Sequence, residues 1–199
     1  MKLYGKWIFL DNHTLENLNQ MYNWSNNKEL IEIECGKINK ISNIDEYKNE
    51  IMASYIENNH ESNSTFCHFG IHRRYNNEFI GYLDFQNINE NNAELSLSIP
   101  EINYRNKHYG IDATIIALEY AFKIRKIKNI IIRTRKDNLI VKNICQKIGL
   151  KYIIEHFSEN NYNIDLIKYE IDYDLFKSIV LKIFKKNVFE ESVTSLNTR

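Results

Sequence analysis

The sequence predicts an α/β (α+β) domain in which helices pack on a mixed sheet. Three stretches carry that reading. Ala93–Ala121 joins a strand to a helix across a short turn. In its strand half, Leu95, Leu97 and Ile99 alternate with Glu94, Ser96 and Ser98. In its helix half, Ile111, Ile115, Leu118 and Phe122 recur at helical spacing. Asn129–Arg135 is a β-branched strand buried at its start, and Asp137/Asn138–Ile148 is a short helix closed by Gly149. A chain of 199 residues is long enough for one domain with a substantial core.

From the N-terminus, Lys6–Leu10 reads as a first strand and His13–Trp24 as a helix burying Leu15, Leu18, Met21 and Tyr22. The polar run Trp24–Asn27 ends that helix. Asn43–Asn58 is a second helix, with Ile44, Tyr47, Ile51, Tyr55 and Ile56 inward and acids near its start, where they suit the helix dipole. His60–Ser64 is a loop. Thr65–Arg74 and Glu78–Asn89 form a hairpin across Tyr75–Asn77, and Glu90–Asn92 turns into the central strand, which Pro100 stops. Lys151–Ser158 and Tyr162–Tyr173 read as a last hairpin. Asp174–Lys186 is a basic amphipathic helix that docks on its own domain, on the second subunit of a homodimer, or on a membrane or partner, and Val188–Arg199 is a loose end. The domain proper is therefore 1–173, and 174–199 is an appended helix and tail.

Charge and composition exclude several classes. Lys+Arg and Asp+Glu number 26 each, so the net charge is zero and nucleic acid is not an expected partner. The basic run Lys123–Lys136 reads as a helix C-terminus followed by a strand, with RNA or ribosome binding as a lesser reading. Cys35, Cys67 and Cys145 are odd in number and lack CxxC spacing, which suits reduced thiols in a cytoplasmic protein. The N-terminus has no signal-peptide character, no apolar run is long enough to span a membrane, and no membrane role is expected for the domain. His68 and His72 lie about 13 Å apart along one strand, too far to share an ion, so no metal is expected. No Ser/His/Asp order and no P-loop string is present.

The chemistry points to the turn Tyr104–Gly110. It is short and basic, and it opens directly into a helix, whose free N–H groups and positive dipole end suit a phosphate or pyrophosphate. Gly110 would let the backbone approach the anion. The string Tyr104-Arg105-Asn106-Lys107-His108-Tyr109-Gly110-Ile111-Asp112-Ala113 resembles the acetyl-CoA loop of the GNAT superfamily of N-acetyltransferases, Arg/Gln-x-x-Gly-x-Gly/Ala. Arg105 and Gly110 match its ends, and His108 stands at its first glycine. A side chain there narrows the cradle, or strains the backbone if φ is positive. Asn138–Leu150 is similar to the family's second signature, with Asn138, Lys147 and Gly149 matching. The start of the chain resembles the branch holding ribosomal-protein N-terminal and amino-sugar acetyltransferases.

The resemblance implies the GNAT acyl-CoA N-acyltransferase fold, a mixed sheet of about seven strands with helices on both faces. It implies acetyl-CoA as co-substrate, held by Arg105, Asn106, Lys107, His108, Tyr109, Gly110, Ile111 and Asn138. The backbone of Leu97, Ser98 and Ile99 would align pantetheine and thioester, through a bulge that frees an N–H for the oxyanion. Transfer to an amine also needs the amine neutral, although a free lysine-type amine titrates near ~10.4. Glu94 is the first candidate base and Asp84 the second. Each also reads as an ordinary strand carboxylate, solvent-facing or ion-paired. Cys145 takes the place of a family Tyr and reads either as a general acid or as a small core residue. Trp24, Asn26 and Tyr82 would face the acceptor. The implied activity is direct acetyl transfer to a primary amine of a small molecule: an amino sugar, a polyamine or an antibiotic. The alternatives are acetylation of a protein N-terminus at the ribosome, and a catalytically silent binding protein of the same fold.

Overall fold

A computed structural model describes residues 1–27, 64–154, 157–159, 162–164 and 166–181. The strands are β1 (Leu3–Tyr4), β2 (Ile8–Asp11), β3 (Cys67–Arg73), β4 (Phe79–Gln86), β5 (Asn92–Ser98), β6 (Asn129–Arg135), β7 (Lys151–Ile154), β8 (Phe157–Glu159), β9 (Tyr162–Ile164) and β10 (Leu166–Asp172). The helices are α1 (Leu15–Ser25), α2 (Tyr109–Glu119) and α3 (Leu139–Ile148). Eight strands form one mixed sheet in the order β1-β2-β3-β4-β5-β6-β10-β7, and β8 and β9 form a separate ribbon. The eighth strand is β1, two residues antiparallel to β2 and too short to show any alternation in sequence. The expected helix Asn43–Asn58 lies outside the described residues, as do Cys35 and everything after Leu181.

The expected final hairpin divides. β7 pairs with β10 through Ile154↔Ile167, while Phe157–Glu159 pair only with Tyr162–Ile164. Two nested antiparallel pairs replace one long ladder.

Helices occupy both faces of the sheet. On one face, α2 and α3 cover Leu83, Phe85, Leu95, Ile130 and Ile132, with Ala113, Ile116, Ala117, Cys145 and Ile148 turned inward. Phe176 and Ile179, in the helical residues 173–181, are buried in that same core. On the other face, α1 sets Leu18, Met21 and Trp24 on Phe79 and Tyr82. Leu15, expected inward, is 57% exposed, because α1 starts there and its first turn overhangs the sheet. Thr14 closes a capping box with Asn17, each side chain accepting from the other's backbone N–H.

A register shift lets α1 pack this way. Ile71 opposes Gly81 and His72 opposes Phe79, so β4 carries one extra residue there. The bulge turns Ile80 into the main core and Phe79 toward α1, where its ring stacks on Trp24 at 5.2 Å. The irregularity expected at Leu97–Ile99 is absent from the described pairing, since β4 and β5 run in register from Tyr82↔Ser98 to Gln86↔Glu94.

Asp112 fastens α2 to the start of the chain. Its carboxylate accepts from the backbone N–H groups of Lys6 (3.0 Å), Trp7 (2.6 Å) and Ile8 (3.1 Å). Gly5 leaves room for it, because a Cβ there would sit 2.6 Å from Oδ1. Asp112→Ala strands three backbone donors, and chemical denaturation should show a loss of about 2 kcal/mol; Asp112→Asn, which keeps one acceptor oxygen, should lose less.

Candidate active site

The site begins where two strands part. β5 and β6 pair in parallel at Asn92↔Asn129, Ala93↔Ile130 and Glu94↔Ile131, and there the pairing stops. Both strands continue, β5 to Ser98 and β6 to Arg135. Their facing backbone edges therefore open onto a cleft. Gly81 supports the free end of β5 from the opposite side: a Cβ there would meet the Ser98 carbonyl at 2.2 Å.

A cavity of about 450 Å³ occupies the gap. Leu95, Leu97, Ile132, Thr114, Val141, Ile144 and Cys145 line its α2–α3 side, while Tyr82, Asp84, Ser96 and Ser98 line the α1 side. It thus runs through the sheet from one face to the other. A smaller cavity of about 100 Å³ continues along Ser98, Ile99, Arg105, Asn106 and Gly110 toward α3. Asn138 borders both.

The turn before α2 has the backbone of an anion cradle. Asn106 (φ 59°) and His108 (φ 65°) are both left-handed, on either side of Lys107. Successive N–H groups in such alternation converge on one point. His108 is the N-cap of α2 and makes no capping bond through its side chain, so the first-turn donors have no side-chain acceptor from the N-cap. His108 is exposed. Its cost is the backbone strain, about 1 kcal/mol for a non-glycine residue in this region.

Two braces hold the turn. Arg105 donates from Nε to the Ile99 carbonyl (3.1 Å) and from Nη2 to the Pro100 carbonyl (2.6 Å), clamping the end of β5. Its guanidinium thus holds the loop's shape, and Arg105 also lines the smaller cavity. From the β3–β4 hairpin, Glu78 accepts from Arg73 (2.7 Å) and from the Tyr104 hydroxyl, and these bonds hold its carboxyl below the usual range. The Arg73 guanidinium lies over the rings of Tyr104 (5.6 Å) and Tyr109 (5.9 Å). Gly110 also sits close to α3: a Cβ would approach Ile144 Cδ1 to 2.9 Å, so a side chain there would need Ile144 to shift. Ile111 and Tyr109 are half-buried against the core, and Lys107 is exposed.

The candidate proton-handling residues separate. Glu94 is ion-paired to Arg133 at the fork of the strands and does not border the cavity. Asp84 is the one carboxylate among the described residues lining it. Asp84 is 8% exposed and bonds His68 Nδ1 at 2.7 Å. That partner was missed, although a hairpin centred on Tyr75–Asn77 places residues 68 and 84 opposite one another. Cys145 is fully packed in the core, and burial pushes its thiol up to about 12. A proton donor that weak is ill-matched to a leaving thiolate of ordinary pKa near ~8.5.

On the α1 face, Tyr82 borders the cavity. Trp24 is buried, with its indole N–H donating to Glu101 (3.1 Å), and Asn26 caps α1 on the Tyr22 carbonyl (3.1 Å). Both shape the wall without lining the described cavity. Asn138 Oδ1 accepts from Val141 N–H (3.2 Å) as N-cap of α3. Among the described residues no group of three His, Cys, Asp or Glu side chains is placed to hold a metal, and no helix is long and apolar enough to cross a membrane.

His108→Gly removes the strain, and unfolding curves should show a gain of up to about 1 kcal/mol; calorimetry with acetyl-CoA should show affinity kept or improved. Cys145 gives a pH signature. Its folded-state pKa is raised from 9.0 to about 12, so its share of stability is complete below pH 9 and declines from there toward pH 12. Cys145→Ala should flatten that alkaline decline, and iodoacetamide should leave native Cys145 unmodified at pH 8.

Residues 8–151 match a family model described as an acetyltransferase (GNAT) domain. No curated protein matches the chain significantly in sequence. Among solved structures, the spermidine N-acetyltransferase of Vibrio cholerae in complex with CoA and spermine is 18% identical, with TM-score 0.68 over 85% of this chain and 97% of that one. RimL, a ribosomal L7/L12 α-N-protein acetyltransferase in complex with coenzyme A, is 13% identical, with TM-score 0.73 over 88% and 99%. FdhC, a nucleotide-linked sugar GNAT, is 16% identical, with TM-score 0.71 over 92% and 96%. At these identities the likeness is one of fold.

Proposed function

Because this chain belongs to the GNAT acetyltransferase family, we propose that it moves acetyl from acetyl-CoA to a primary amine of a small cytoplasmic molecule. The acceptor class is an amino sugar, a polyamine or an antibiotic. The observation that carries this reading is the cavity through the parted strands, which joins the cradle at α2 to the carboxylate of Asp84.

The backbone N–H groups from Asn106 to Ile111 hold the pyrophosphate, with the α2 dipole favouring the negative charge. The β5 edge from Leu97 to Ile99, beyond the last β5–β6 pair, aligns pantetheine as an added strand would and offers a backbone N–H to the oxyanion. Asn138 and the wall of α3 close the other side. The amine enters from the α1 face, between Tyr82 and Ser96, where Asp84 attracts its ammonium form. The ammonium gives one proton through Asp84 to solvent, and the neutral nitrogen attacks the thioester carbonyl. As the tetrahedral intermediate collapses, the C–S bond breaks, the nitrogen sheds its second proton to solvent, and the thiolate departs. No residue need protonate that thiolate, because solvent reaches the cleft.

Glu94 keeps a supporting role in this scheme. Its ion pair with Arg133 marks the last paired position of β5 and spares the cavity a second carboxylate. The absence of a basic excess favours a small acceptor over a ribosomal one.

Thiol release should be followed with acetyl-CoA and a panel holding glucosamine, spermidine, an aminoglycoside and a peptide with a free N-terminus. Turnover with one of the small amines is the expected result. Turnover with the peptide alone would move the assignment to protein N-termini, and none at all would overturn transfer. Arg105→Ala, by loosening the turn, should weaken acetyl-CoA binding by about tenfold in calorimetry.

A further inference from the structure

Asp84 does not stand alone in the cavity wall. His68 on β3, Asp84 on β4 and Ser96 on β5 are direct cross-strand partners, and they form a polar row ending at the parted edge. His68 and Asp84 are each 8% exposed, and Nδ1 lies 2.7 Å from Oδ1. The imidazole lies parallel to Phe66, with centroids 6.3 Å apart and planes 3° from parallel. That contact orients the ring.

Stability does not account for such a pair. A buried carboxylate is costly even when partnered, and two apolar side chains of similar size would serve the core as well or better. At 8% exposure the Asp84 carboxylate acts on a nearby ammonium with less screening than a surface carboxylate would have.

We propose that His68 is a positioning residue for the acceptor: it donates from Nδ1–H to Oδ1 of Asp84 and fixes the carboxylate so that Oδ2 receives the ammonium of the incoming amine. The carboxylate is the feature of the wall that favours a cationic amine. One oxygen is committed to His68, which sets the direction from which the nitrogen approaches. His68 itself does not touch the substrate. This assignment rests on the acetyl-transfer reading for its amine and on the β3–β4 geometry for its hydrogen bond.

The test separates those two supports. Imidazole nitrogen–proton correlation spectra of the CoA-saturated full chain report the His68 tautomer, and they are recorded during titration with spermidine and with glucosamine. An Nδ1–H tautomer whose resonance shifts on addition of an amine in the wild type, and not in Asp84→Asn, supports the assignment. An Nε2–H tautomer, or a resonance unmoved by saturating amine, overturns it whatever the turnover. Kinetics give the second arm. His68→Leu should raise the KM for the amine by about tenfold or more with the KM for acetyl-CoA unchanged, and His68→Asn, which keeps a donor near Nδ1, should restore most of it. Equal losses in both KM values, or no rescue by Asn in a folded protein, would reduce His68 to a packing residue. Absence of turnover with every amine overturns the transfer reading alone, since the tautomer is read without it.

Discussion

The parting of β5 from β6 after three parallel pairs is the constraint on which the rest of this molecule depends. A sheet that stayed zipped to Ser98 and Arg135 would have no cavity and no unpaired edge, and its two faces would be sealed from one another. Separation exposes backbone donors and acceptors that must find partners. The fold tolerates this because both free ends are braced elsewhere. β5 is held by its ladder to β4, by the room Gly81 leaves, and by Arg105 on the carbonyls of Ile99 and Pro100. β6 is held along its length by β10, from Asn129↔Asp172 to Arg135↔Leu166.

The braces also join the two sides of the chemistry. Trp24, at the end of α1, donates to Glu101 in the segment that leaves β5. The β3–β4 hairpin grips the same segment through Glu78 and Tyr104. The acceptor face and the coenzyme turn are therefore fastened to one short stretch, Pro100–Arg105, and a displacement there is felt on both. Most of the charged side chains near the cleft are spent on this scaffolding: Arg105 on carbonyls, Arg133 on Glu94, Arg135 on Asp137. In the proposed scheme anion binding falls to backbone N–H groups, which carry no net charge and need no basic excess in the composition.

The left-handed conformation of His108 shows how a local sequence rule is obeyed at a cost. The turn requires positive φ at that point, glycine would meet the requirement freely, and histidine meets it under strain.

Sequence alone was enough for most of the described elements, the strand–turn–helix at their centre, the short helix between Asn138 and Gly149, and the turn before α2. All of these are local, set by alternation, helical spacing and capping residues within a few positions of one another. Tertiary structure decided what depends on distant neighbours. It set Arg105 on the β5 carbonyls, brought Gly110 close to Ile144, paired Glu94 with Arg133 and sank Cys145 into the core. It also brought His68 to Asp84. The hairpin register held that pairing in principle, yet burial and a 2.7 Å bond arise only when the whole sheet packs. A residue's type restricts the chemistry it can do, whereas its partners, drawn from elsewhere in the chain, determine which of those chemistries remains open.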